Sequence, residues 1–436
     1  MNKRLIVILA LVFAVGFCFA AYAEVQNVKV SGDLAVTAMA RNNFNLNENA
    51  KVSESMFLSQ TRVKVDADLT DMVSATVRLI NERNWDAETA NTTDINLDLA
   101  SVTLKEFLYS PLTVKVGRQE IAFGNKLIIG ASNTYTNGSG STLLNGVPSD
   151  LSLRKAFDAI RATLNYDPLV IDAVYSKIDE TVLGTKNNQD TNLYGINASY
   201  ALDKTTNVQG YIWDSKAHTF TANKPTNIYT LGGLVSTSKI ENLLASLEYA
   251  YQFGNANAAQ HKISAWALQA MANYAMPKVK MTPMIGLAYT YLSGDKNSGD
   301  NKYKTWTYMY EDQNSTNIAN AILPPTDCQV FSLNGAIKPM ADLKLSAVYA
   351  YYRLAQRVGS LTSQKLDTNG DVYLSAVSMN MESKDLGNGL DLTAAYDYTE
   401  DVQLGLTYGF FKPGKAFSDG YRENANQLVG SMKVTF

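Results

Sequence analysis

Gln60, Arg62, Lys64, Asp66 and Asp68 stand at every second position of "QTRVKVDAD", with Thr61, Val63, Val65 and Ala67 between them. A row of this kind makes and breaks no bonds. Its chemistry is electrostatic: fixed charges on one face attract, order or exclude mobile ions. The same parity in the segments that follow adds Arg78 and Glu82, then Lys115, then Arg161. Arg62, Lys64, Arg78, Lys115 and Arg161 therefore collect on neighbouring segments and imply one basic wall. Asp172, Glu248, Lys344, Asp391 and Asp397 take the same parity elsewhere and leave the opposite wall acidic or neutral. Such a wall lowers the barrier for anions. The plainer alternative is that mixed charges only keep a wide interior wet.

Bond-making chemistry has few candidates. A serine or cysteine nucleophile needs a base beside it, usually histidine. The chain has two histidines, His218 and His261. They fall in separate connecting stretches, and neither has a serine motif next to it. The "GSGS" run at 138–141 lacks the lysine and helix of a phosphate-cradling loop. No catalytic residue, cofactor or metal ligand is assigned. A hydrolytic enzyme remains as an alternative that both histidines would have to carry.

The elements that position these charges have period 2. "FLSQTRVKVDADL" puts Phe57, Ser59, Thr61, Val63, Val65, Ala67 and Leu69 on one face, opposite the charged row. "LLASLEYAYQF" (243–253) and "GLDLTAAYDY" (389–398) repeat the pattern. Sustained alternation over such lengths means strands. The apolar face faces outward and the polar face inward, the inverse of a globular sandwich. Eighteen segments between 28–41 and 425–436 follow the pattern. The alternation slips at 95–107, and 227–237 is rich in Gly and Thr. Short connections (Thr70-Asp71, Asp167-Pro168, Thr399-Glu400-Asp401) alternate with long polar ones, as in membrane barrels. The final "NQLVGSMKVTF" is itself an alternating strand ending in Phe436. A sheet in lipid leaves no backbone group unpaired, so the last strand must meet the first. The chain carries 25 Tyr against 10 Pro. Tyr194, Tyr200, Tyr249, Tyr251, Tyr289, Tyr291, Tyr396, Tyr398 and Tyr408 fall on the outward parity, where rings with one polar atom suit a membrane interface. Tyr211 and Tyr352 fall inward.

Ahead of the strands, Lys3-Arg4, the apolar run Leu5 to Phe19 and Ala21-Tyr22-Ala23 have the layout of a secretory signal peptide cut after Ala23. An uncleaved anchor is the alternative. Phe17, just before Cys18, is too bulky for lipoprotein processing. After cleavage Cys328 stands alone, so no internal disulfide forms. Beyond the leader no stretch reaches the roughly 18 apolar residues of a membrane helix. The expected fold is all-β: a transmembrane antiparallel up-and-down β-barrel of 18 strands, with 16 as the runner-up. The expected organisation is 1–23 signal peptide and 24–436 a single barrel domain with long outer loops at 123–156, 293–327 and 354–388. In those loops Leu127-Ile128-Ile129 and the Trp306-Thr307-Tyr308 run are too apolar for solvent and should pack into the lumen.

"VGRQEIAFGNKLIIG" (Val116 to Gly130) with "RKAFDAIRATLNY" (Arg154 to Tyr166) resembles the Gly-Arg-Gln segment and Arg-x-x-Phe-Asp strand of the alginate export family. "LGNGLDLTAAYDYTEDVQLGLTYGFFKPGKAF" (Leu386 to Phe417) is similar to that family's closing hairpin. The resemblance implies an 18-stranded, monomeric outer-membrane barrel with a polar lumen. In the family's namesake, lumen arginines attract a polyuronate; Arg118, Arg154 and Arg161 stand in the matching segments. Two features depart: every turn on the short-connection side is short, so a long periplasmic gate is absent, and the lumen carries many acids.

The expected function is a porin-like channel for polar or anionic solutes, acidic oligo- or polysaccharide among them. A scaffold or adhesin barrel without conductance is the alternative. The expected setting is the outer membrane of a Gram-negative bacterium. The expected partners are outer-membrane lipid, the solute, and the barrel assembly machinery through the strand ending in Phe436. The formal net charge of −3 fits no nucleic-acid partner. Outward faces show no polar or Gly-rich seam, which favours a monomer.

Overall fold

The computed structural model describes residues 26–85, 95–132, 147–179, 190–217, 225–256, 261–297, 299–362 and 374–436. The expected signal peptide, His218 and parts of the long loops lie outside these residues.

Alternation becomes eighteen barrel strands. They are β1 (Asn27–Asn42), β2 (Ser53–Thr70), β3 (Val73–Asn84), β4 (Asn96–Leu104), β5 (Leu112–Gln119), β6 (Phe157–Asn165), β7 (Leu169–Asp179), β8 (Thr191–Ala201) and β9 (Thr206–Ala217). The circle continues with β10 (Thr226–Thr237), β11 (Leu243–Ala256), β12 (His261–Ala275), β13 (Met284–Leu292), β14 (Cys328–Met340), β15 (Leu343–Leu354), β16 (Asp385–Asp397), β17 (Val402–Pro413) and β18 (Ala425–Thr435). Each pairs antiparallel with its neighbour in sequence. β18 returns to β1, with Asp33 opposite Thr435 and Asn42 opposite Asn426. Among the described strands no edge is left, because the sheet closes on itself.

Parity decides which side each residue takes. Val28, Val30, Phe57, Val63, Val65, Ile160, Leu231, Leu247 and Leu406 are exposed on the outer surface. Tyrosines and other rings pair on that surface: Tyr175 stacks on Tyr194 at 5.1 Å, and Trp266 on Tyr291 at 4.2 Å. Tyr211 and Tyr352 are buried inside.

The slip at 95–107 has a local cause. Arg78 pairs with Leu99 and Leu79 with Leu97, so Asp98 is an extra residue in β4. This bulge re-aims the chain and turns the Asp98 carboxylate inward. The Gly-rich β10 pairs regularly. Gly232 is required there, because a Cβ would lie 2.6 Å from the Tyr211 ring.

One end of the barrel carries short turns and the other the long connections. The long connections fold back into the bore. Leu127, Ile128, Ile129, Trp306, Met309 and Tyr310 are buried against inward wall residues including Phe157, Leu193, Trp213 and Ile263. A short helix α1 (Asn317–Ile322) joins that cluster through Ile318 and Ile322. Burying these side chains contributes the usual ~25 cal/mol per Å² of apolar surface. Their burial is why apolar triplets occur in otherwise polar loops.

Candidate functional site

The inward row of β2 meets acids as well as water. Asp33 stands directly opposite Arg62 in the β1–β2 register. Arg62 Nη2 donates to Asp33 Oδ2 at 2.6 Å, and its Nε to Oδ1 at 3.1 Å. Lys64 reaches Asp66, its neighbour on the same face, at 2.7 Å. Arg78 Nε donates to Asp98 Oδ2 at 2.5 Å, and its Nη2 donates to Glu120. Arg161 Nε donates to Asp172 Oδ1 at 2.8 Å, and its guanidinium lies 5.1 Å over the Phe123 ring. Lys115 stands opposite Arg161 in the β5–β6 register. Among the described residues Lys115 has no ion pair.

The wall inferred from sequence is therefore a ladder of ion pairs with one cation left over. Arg62, Lys64, Arg78, Lys115 and Arg161 are brought together as parity placed them. Their charge is largely compensated by Asp33, Asp98 and Glu120, which the sequence reading missed. Asp33 was findable by its parity in β1. Asp98 was hidden by the bulge and Glu120 by lying just past the end of β5. The ladder borders open space: the side chains of Lys64, Arg161 and Glu120 keep 36, 30 and 48 % of their surface exposed. Charged side chains in water of this kind steer ions at long range more than they bind them.

Arg154 does something else. It is buried, with Nε donating to Glu82 Oε2 at 3.0 Å. Glu82 also accepts from Gln60 Nε2 at 2.7 Å, Ser152 Oγ at 2.9 Å and the Leu153 N–H at 2.7 Å. Nearby, buried Arg41 donates to both oxygens of Asp150 and to Gln427 at 3.2 Å, and lies 4.8 Å over the Phe44 ring. These charge-assisted bonds pin the segment 147–156 to the inner wall. Arg154 is a clamp with no face towards a solute.

Arg118 does not line the lumen. It lies two and four residues from Val116 and Val114, on their face, and its cross-strand partner Asp158 lies two residues from exposed Ile160. Arg118 Nη1 donates to Asp158 Oδ2 at 2.9 Å on the outer surface. The physical reason is parity: Lys115 faces in, so Arg118, three residues on, faces out.

Two long connections are fastened to each other across the bore. Ile129 and Tyr310 form a parallel bridge. The N–H groups of Gly130 and Ala131 both donate to the Tyr310 carbonyl, at 2.6 and 3.0 Å. Asp312 then accepts from Lys126 Nζ at 2.8 Å and from Lys155 Nζ at 2.7 and 2.6 Å. Burial pushes the Asp312 carboxyl up, but the two lysines outweigh it and hold it below its ordinary value. Gln313 Nε2 donates to the Asn125 carbonyl at 2.6 Å, and the Asn125 N–H donates to Glu248 at 3.2 Å. Glu248 accepts from Tyr211 Oη at 2.8 Å. The result is a tied constriction, apolar where it fills the bore and charged along the β2–β6 side. His261 begins β12, and among the described residues no group of metal-ligating side chains gathers.

The profile of the family described as alginate export matches residues 26–431 of the chain. No curated protein matches it. Among solved structures, OpdO of Pseudomonas aeruginosa is similar, at 11% identity and a TM-score of 0.60, covering 95% of this chain and 99% of that one. OpdL of the same organism gives 12% identity and a TM-score of 0.59, with 94 and 99% covered. OpdQ, again from that organism, gives 13% and 0.57, with 95 and 99% covered. At these identities the likeness is one of fold: a closed 18-stranded antiparallel barrel.

Proposed function

This chain belongs to the alginate export family, and from that premise we propose that it is a passive outer-membrane channel for small polar or anionic solutes. The observation that carries this reading is the exposed charged strip beside the loop plug. The apolar part of the plug packs against inward residues of the barrel wall. Lys64, Asp66, Arg161 and Glu120 keep part of their side chains open to water. A solute following that strip meets cations and acids in alternation, with Lys115 supplying the surplus positive charge. The long connections then lie outside the cell and the short turns in the periplasm, and Phe436 is the end that assembly machinery reads.

Acidic oligosaccharide is the solute class that the family membership favours. The compensated ladder favours short, weakly held segments over a tightly bound polymer. Purified protein in planar bilayers tests the reading. Discrete conductance steps, with a reversal potential in a salt gradient displaced towards the anion potential, are expected. A silent bilayer with folded protein inserted would leave a scaffold instead.

A further inference from the structure

The outward surface of β12 to β17 is neither smooth nor uniformly greasy. Small residues, among them Ala347, Gly335 and Ala394, leave a groove of about 850 Å³ between the larger side chains of Leu333, Tyr349, Leu392 and Tyr408. A second groove of about 560 Å³ shares Leu333 and Tyr349 with it and runs up to Phe331 and Tyr351. Together they form one apolar furrow along the strands. At its upper end, towards the long connections, the outward positions become cationic. Arg353 lies two residues beyond Tyr351 on β15, and Lys412 two beyond Phe410 on β17; both are exposed. Tyr351, Asn388 and Lys412 occupy one cross-strand row, which sets Lys412 roughly 10 Å from Tyr351 at the usual strand spacing. Among the described residues neither Arg353 nor Lys412 has an ion pair. The charged neighbours on this face are Asp385, opposite Arg353, and Lys384, whose Nζ donates to the Ala355 carbonyl. At the opposite end of the same strands the outward residues are Ile337, Tyr396, Leu404 and Tyr274. The exposed cations of that opposite end, Lys278, Lys280 and Lys338, stand in or beside the short turns.

We propose that this face is a built site for one phosphate-bearing lipid of the outward leaflet. Arg353 and Lys412 hold the headgroup phosphates, and the furrow beneath takes an acyl chain. A cation above an apolar, aromatic-edged groove is complementary to a lipid and to nothing smaller: free phosphate gains nothing from the furrow, and a neutral lipid gains little from the rim. The furrow is continuous with the lipid-facing belt, so no rearrangement is needed for entry. The site is separate from the lumen and independent of what the channel conducts.

The test uses the full chain in neutral detergent, with melting followed as bis-phosphorylated lipid A, its dephosphorylated form, phosphatidylcholine or inorganic phosphate is added. Lipid A should raise the melting temperature by several degrees, the other three by at most a degree. The double variant Arg353→Gln/Lys412→Gln and the groove-filling Ala347→Leu should each remove at least half of that shift, while Lys216→Gln on the far side keeps it. An undiminished shift in both groove-face variants overturns the proposal, as does an equal shift from inorganic phosphate. A chain that purifies as an oligomer dispersed by Ala347→Leu also overturns it, and makes the occupant a second copy. Bilayer conductance unchanged in all three variants separates this outcome from that of the channel reading.

Discussion

Phe436 exchanges both backbone hydrogen bonds with Gly32: the Gly32 N–H donates at 2.8 Å and the Phe436 N–H returns at 3.0 Å. The Phe436 ring covers the glycine, with Cζ only 2.7 Å from where a Cβ would sit. The first and last strands are thus sealed by a residue without a side chain and a ring that fills its place, the arrangement that rescues glycine in a sheet. Gly32→Val should lower the heat-resistant folded fraction on unboiled gels, because its Cβ would also press on the Arg62 carbonyl. Overpacking of this kind costs roughly 1–3 kcal/mol. Phe436→Ala should weaken the seam less, since its backbone bonds remain. Equal folding of Gly32→Val and wild type would contradict the geometry.

Asp312 joins two loops through Lys126 and Lys155. Asp312→Asn removes the charge behind both ion pairs, in which a charge-assisted bond is worth roughly 1.5–3 kcal/mol. It should raise single-channel conductance and gating noise while leaving barrel melting nearly unchanged. The carboxyl is held below its ordinary value, so the clasp is present above that value and lost as pH falls through the lowered one. Wild-type noise should therefore rise only in strong acid. The variant should show no such step.

Lys115 and Asp172 should act on selectivity with opposite sign. Lys115→Glu removes the unpaired cation and should move the reversal potential towards cations. Asp172→Asn frees Arg161, now held at 2.8 Å, and should move it towards anions. Shifts in the same direction for both would show that the strip does not carry the current.

Asp327 sits just before β14, where burial pushes its carboxyl up to about 7. Its Oδ1 accepts the Gln356 N–H at 2.7 Å. The folded state binds the proton more tightly than the unfolded chain does. Stability is therefore greatest below about pH 4 for this group and declines as pH rises towards 7. Asp327→Asn keeps the acceptor and tolerates the residue's φ of +46°. It should raise the melting temperature at pH 8 and change it little at pH 4.5. A pH-independent effect would assign the gain to something other than this proton.

Glu82 holds four donors in a buried site. Glu82→Ala strands Arg154 without its carboxylate and should destabilise by about 3–5 kcal/mol. Protease cleavage within 147–156, followed by mass spectrometry, should accelerate in the variant. Unchanged cleavage would mean that Arg41 and Asp150 hold the segment alone.

How far the sequence could be followed depended on the range of the interaction. Val63 and Arg62 take opposite sides of the sheet by the geometry of one strand, so parity found the lumen row without any tertiary knowledge. The same rule, applied strictly, would have turned Arg118 outward; the motif resemblance placed it in the lumen instead. Asp98 escaped because a bulge breaks parity at that residue. Trp306 and Ile129 were marked as misplaced in polar loops, yet nothing local says which wall receives them.

What the sequence determined by itself is a closed, alternating barrel, because lipid forbids an unpaired backbone group and period 2 then sorts every side chain. The tertiary structure alone decided what stands in the bore and which charges cancel. Lys155 and Asp312 are 157 residues apart in the chain, and Arg41 and Asp150 are 109 apart. Contacts over such distances depend on where folded loops come to rest against the wall. Local backbone geometry has no reach that far.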